Sequence, residues 1–148
     1  GPMTHIAVYR LMQYTLRDVL VGHVGHEEAN RIFFEAGKRA GQAYYKNVLT
    51  QKNSLDEFFA DIQRTMKDLN IGIFRVESAN AERGSFVIVV EEDLDCSGIP
   101  FCAKQICIYD EGFIAGLLLE YTGKDYNVKE VDCWGSGARV CRFSVLPK

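Results

Sequence analysis

The 148-residue chain has no apolar run approaching the roughly 18 residues a membrane span requires. It has no basic cluster either. Its 17 Lys and Arg are scattered among 20 Asp and Glu for a formal net charge of -3, which argues against nucleic acid or a membrane as partner. No charged-then-apolar secretory pattern follows Met3, so an intracellular, cytoplasmic setting is expected. Histidine is scarce: His5, His23 and His26 all lie before residue 27, and no serine–histidine–acid set can be assembled. A general-acid role for Asp93 or Asp95 has only composition behind it. There is no nicotinamide or flavin fingerprint, and "GSGARV" precedes no helix, so it is not a phosphate loop. These absences speak against an enzyme. Linkers, repeats and low-complexity segments are missing too. Residues 3–148 therefore read as a single domain long enough to bury a core. Gly1 and Pro2 read as the remnant of a cleaved tag.

What the chain does have is periodicity. Val8, Leu11, Met12, Leu16, Val19 and Leu20 recur at helical spacing over about 7–21, and after "GHVGHEE" the pattern resumes from Glu27 to Val48. That polar, glycine-rich connection reads as a solvent-exposed turn rather than a histidine metal or haem site. Gly37 and Gly41 stand one turn apart in the second helix, as do Gly112 and Gly116 in a later one. Each helical glycine costs about 1 kcal/mol against Ala, so such pairs mark close approach of another backbone, either within the chain or across a homodimer. A third helix opens at Ser54, with Glu57 placed as in a capping box. After Gly72 the period changes. "IGIFRVES" and "GSFVIVVEEDL" read as an antiparallel hairpin, "DCSGIPFCAKQ" as a loop, about 106–121 as a fourth helix, and "GKDYNVKEVDC" with "ARVCRFSVL" as a closing hairpin. The expected fold is mixed α/β (α+β): three helices, hairpin, helix, hairpin, with an antiparallel sheet.

Five cysteines in an intracellular chain, an odd number, are not read as disulfides. They are core or ligands. Cys133 and Cys141 flank a loop in which Gly135 and Gly137 permit a sharp fold, and Glu130 is near enough to join them. Residues three apart on a regular strand face opposite sides, so the chain must bulge or turn between Glu130 and Cys133. A further ligand would come from Cys96, Cys102 or Cys107, the last at the start of a helix, where a thiolate is favoured. There is no CxxC pair.

The stretch "CIYDEGFIAGLLLEYTGKDYNVKEVDCWGSGARVCRFSV" resembles the signature half of the 4-vinyl reductase domain family through Cys107, Gly112, Phe113, Gly116, Glu130, Cys133, Gly137, Cys141 and Phe143, in that order. The helices "YRLMQYTLRDVL" and "FFEAGKRAGQAY" resemble the family's N-terminal half. The resemblance implies the fold shared with TRAPP tethering subunits and haem-based nitric-oxide sensors. It also implies a structural zinc held by Cys107, Glu130, Cys133 and Cys141 beside a ligand pocket, as in sensor domains of aromatic-responsive activators. Cys96 and Cys102 fall outside that motif, as spectators or as part of a larger thiolate set suited to redox or iron–sulfur chemistry.

The function expected is therefore a stand-alone zinc-containing sensor domain that binds a small apolar or aromatic, or tetrapyrrole-like, molecule. Phe33, Tyr44, Phe58, Phe86 and Phe113 are candidate pocket residues. A homodimer is expected, and a downstream protein partner would carry any signal. Two rival readings are a protein–protein scaffold like the tethering subunits and an accessory factor of tetrapyrrole metabolism.

Overall fold

The computed structural model describes residues 3–51, 53–97 and 107–148. The tag remnant at residues 1–2, Pro100 and Cys102 lie outside the described residues. Helix α1 runs Ile6–Asn47, α2 Leu55–Asp68 and α3 Ile108–Thr122; the strands are β1 Ile73–Asn80, β2 Ser85–Glu91, β3 Tyr126–Asp132 and β4 Cys141–Pro147. The four strands form one sheet in the order β1-β2-β4-β3, antiparallel throughout. Two sequence-local hairpins are thus joined by β2–β4 pairing, with Ile88 opposite Phe143. This is the expected mixed fold.

The two N-terminal helices are joined without a loop. Only Gly25 leaves helical geometry, at φ 83° and ψ 169°, a region that is essentially glycine's alone. A straight helix would hold Arg17 and Phe33 about 24 Å apart at 1.5 Å per residue. Instead the Arg17 guanidinium lies 5.3 Å from the Phe33 ring centroid and donates to Asn30. The first arm of α1, before Gly25, therefore folds back along the second.

The second arm is welded to α3 by the two glycine pairs. A Cβ on Gly37 would meet the Tyr109 carbonyl oxygen at 2.0 Å, and one on Gly41 the Phe113 carbonyl oxygen at 2.2 Å. In return, Gly112 faces the Phe34 carbonyl at 2.0 Å and Gly116 that of Lys38 at 2.1 Å. The glycines are spent on contact within the chain, so they give no support to a homodimer. The core lies between these helices and one sheet face, where Ile88, Phe143, Val145, Leu117 and Leu118 are buried. Ser54 caps α2 by accepting from Glu57 N, as expected.

Candidate functional site

Four thiols converge at one corner of the domain. The Sγ atoms of Cys96, Cys107, Cys133 and Cys141 all lie within 4.8 Å of one another, and all four residues are fully buried. Cys96–Cys141 is 2.9 Å, Cys96–Cys107 3.4 Å, Cys107–Cys141 3.5 Å and Cys107–Cys133 3.7 Å. A disulfide requires about 2.05 Å, so the sulfurs are unbonded.

Each sulfur arrives on a different element. Cys96 sits in the turn that follows β2, where Ser97 N donates to the Asp93 carbonyl oxygen at 2.9 Å. Cys107 is the N-cap of α3 and makes no side-chain capping bond, leaving its sulfur to point inward. Cys133 begins a short 3-10 turn, Trp134–Ser136, and its Sγ accepts from Gly135 N at 3.3 Å. Cys141 opens β4 on the inward face it shares with Phe143 and Val145. The alternation of that strand, legible in the sequence, aims the sulfur into the core.

Glu130 also points inward, beside Val128, and the strand register shifts between Glu130 and Asp132. That is the bulge the spacing to Cys133 demanded. The Glu130 carboxylate, 1% exposed, has no hydrogen-bond partner for either oxygen. Burial pushes its carboxyl up to about 8, although the nearby Cys107 thiol works in the opposite direction. It is nevertheless not one of the four groups that fall within 4.8 Å of one another; Cys96 is. Contact with Cys133, Cys141 and Cys96, then burial, push the Cys107 thiol far up. Four buried thiolates in mutual contact are untenable alone, and a divalent cation is what makes such a set stable. The donor set fits one. A tetrahedral ion with bonds of about 2.3 Å to sulfur has S···S edges of about 3.8 Å, close to most of the spacings here. Such a span holds a single ion, not the several irons of a cluster.

A cavity of about 190 Å³ adjoins the thiols, walled by Met66, Ile71, Phe74, Val90, Phe113, Ile114 and Leu117, with Asp93, Asp95, Asp110, Tyr9 and Tyr109 at its polar end. Asp93, Asp110 and Cys107 each place one atom within 4.8 Å of the others, so cavity and thiols share a wall. Burial, then the charge of Asp95, pushes Asp93 up to about 7; burial and both neighbouring aspartates hold Asp110 well above the usual carboxylate range. Tyr9 Oη donates to Asp95 Oδ1 at 2.6 Å.

Of the candidate pocket residues, Phe113 lines this cavity. Phe86 lines a second, more open depression with Leu55, Phe59 and Phe74. Phe58 stacks on Tyr121 at 4.2 Å, Tyr44 Oη donates to Thr65 Oγ1, and Phe33 lies under Arg17. Sequence reasoning gave Asp93 and Asp95 no role and passed over Asp110. Nothing in their local pattern signals burial, which arises only when the turn after β2 meets the first turn of α3.

Residues 86–147 match the 4-vinyl reductase domain family. Over 102 residues the chain is 28% identical to an uncharacterized protein of Methanocaldococcus jannaschii, MJ1642, covering 69% of this chain and 61% of that protein. The chain thus spans about three fifths of that relative's length. Among solved structures it is similar to the phenol-responsive sensory domain of the transcription activator PoxR, solved with phenol (TM-score 0.71, 18% identity, 97% of this chain and 75% of that one). It is also similar to a vinyl-4-reductase family protein from Methanocaldococcus jannaschii (0.66, 18%, 99% and 83%) and to a trafficking protein particle complex subunit 3 from Naegleria fowleri covalently bound to palmitic acid (0.76, 12%, 97% and 95%). Likenesses at such identities speak to the fold. Through residues 86–147 the chain carries a 4-vinyl reductase domain, on the fold shared by the sensory domain, the vinyl-4-reductase family protein and the trafficking-complex subunit.

Proposed function

We propose that residues 3–148 form one non-enzymatic sensor domain, which binds a small apolar or aromatic molecule beside a zinc centre. The observation that carries this reading is the 190 Å³ cavity, apolar along its walls and polar at one end, which shares Asp93 and Asp110 with the surroundings of Cys107. An engineered apolar cavity of about 150 Å³ binds benzene, so a single substituted ring fits the space here. The phenol-bound sensory domain of the same fold supports that class of ligand. Cys107, Cys133 and Cys141 belong both to the motif and to the thiol cluster, and zinc bound there would staple α3 to the closing strands. The fourth position has two candidates: Glu130 from the resemblance and Cys96 from the geometry. Reduced, metal-binding thiols suit a cytoplasmic setting.

The homodimer remains part of this reading, on a different surface from the glycines. Val8, Leu11, Met12, Leu16 and Val19 of the first arm of α1 are more than half exposed and lie on one helical stripe. A second copy, or a downstream partner, would cover it.

Calorimetric titration of the metal-loaded protein with phenol and small alkyl-substituted aromatics tests the ligand reading. Saturable binding is expected, weakened at least tenfold by Ile114→Phe, which fills the cavity. Absence of binding by the whole series, or equal binding by the filled variant, would overturn it.

A further inference from the structure

We infer that Cys96 is a metal ligand, making the centre all-thiolate, with Glu130 standing by as a spare oxygen donor rather than occupying the fourth position. This rests on the metal reading above and departs from the ligand set implied by the family motif. Cys96 is fully buried with its sulfur 2.9 Å from Cys141 and 3.4 Å from Cys107, so it already occupies a vertex of the cluster. A tetrahedral ion would require that 2.9 Å edge to open by about 1 Å, a displacement one rotamer adjustment supplies. Glu130 comes from the neighbouring edge strand, and its carboxylate oxygens are buried, unbonded and outside the group of four. A fourth sulfur already in place leaves it no vertex.

The turn that carries Cys96 is anchored from the opposite side. Arg10 donates to the Leu94 and Ser97 carbonyls at 3.1 and 2.9 Å, Tyr14 Oη donates to the Asp95 carbonyl, and Asp95 N donates to Asp93 Oδ1 at 2.7 Å. Asp93 and Asp95, both just before Cys96 in the chain, line the cavity. A metal–Cys96 bond therefore ties the polar end of the cavity to the centre, and loading the metal orders the cavity wall.

The test is X-ray absorption at the zinc edge on zinc-loaded protein, paired with hydrogen exchange at the amides of residues 94–97. The wild type should fit four sulfurs. Cys96→Ser should keep one zinc per chain but fit three sulfurs and one oxygen, now from Glu130, and exchange at 94–97 should accelerate at least tenfold. Glu130→Gln should still fit four sulfurs, and Cys96→Ser combined with Glu130→Gln should lose zinc. Three sulfurs and one oxygen in the wild type, unchanged in Cys96→Ser, would overturn the inference while leaving the metal centre standing. A wild type that takes up no zinc would overturn both, and the aromatic titration would still judge the cavity independently.

Discussion

The two arms of α1 carry the same signal in sequence, apolar residues at helical spacing, and meet opposite fates. The second arm buries Ala29, Phe33, Gly37, Gly41 and Tyr44 against α3 and the core. The first leaves Val8, Leu11, Met12, Leu16 and Val19 in solvent, while Tyr9, Arg10, Tyr14 and Arg17 on its other side hold the domain through polar contacts. An amphipathic helix ordinarily turns its apolar stripe to the core. Here the first arm turns it outward. Periodicity therefore predicts that a helix forms and that a face will be covered, but not by what. The second arm is completed by its own chain; the first is completed only by another molecule.

Breaking the closed arm should have the largest effect. Gly41→Ala puts a Cβ 2.2 Å from the Phe113 carbonyl oxygen, and two backbones cannot yield as a flexible side chain would. Overpacking costs typically 1–3 kcal/mol, and a clash with main chain belongs at the upper end, about 3 kcal/mol. For a chain of this length that is a fall in Tm of roughly 6–12 °C, measurable by calorimetry. A Tm within about 2 °C of the wild type would mean that α1 and α3 are not held as closely as described.

Breaking the open arm should scarcely touch stability and should change association instead. Leu11→Glu with Leu16→Glu replaces two residues that are 67% and 53% exposed. No internal contact of consequence is lost, so unfolding of the isolated chain should shift by no more than about 0.5 kcal/mol. Light scattering should read a dimer for the wild type and a mass near 16.7 kDa for the variant. A wild type already at that mass in concentrated solution would leave the stripe to a different partner and remove the homodimer.

The same contrast marks what could be read from residues alone. Helices, strands and their order followed from the change of period after Gly72, and the need for a bulge followed from the even spacing that Glu130 and Cys133 lack. The glycine pairs announced a close contact, although whether it lay within or between chains was open until Gly37 and Gly41 were seen facing Tyr109 and Phe113. Cys96 was illegible because it lies in a turn, where no period gives a side chain a direction. Its approach to Cys141 depends on the pairing of β2 with β4, a contact between separate hairpins. The buried Asp93 and Asp110 depend on that same tertiary approach.

The smallest effect tests where the two arms part. "GHVGHEE" offers Gly22 and Gly25 as equivalent breakers, yet only Gly25 has positive φ, at 83°. Gly22 lies inside the first arm, and a Cβ there would meet nothing within 4 Å. Gly22→Ala should therefore stabilise the protein by about 0.5–1 kcal/mol, because an exposed helical glycine gives up conformational freedom that Ala does not have. Gly25→Ala has equally open space, but its backbone region is barred to a side chain, and it should cost about 1–3 kcal/mol. Chemical denaturation of the two variants side by side gives opposite signs if the reversal is at Gly25. If Gly22→Ala destabilises and Gly25→Ala does not, the hinge sits one turn earlier, and the outward stripe of the first arm must be redrawn about that point.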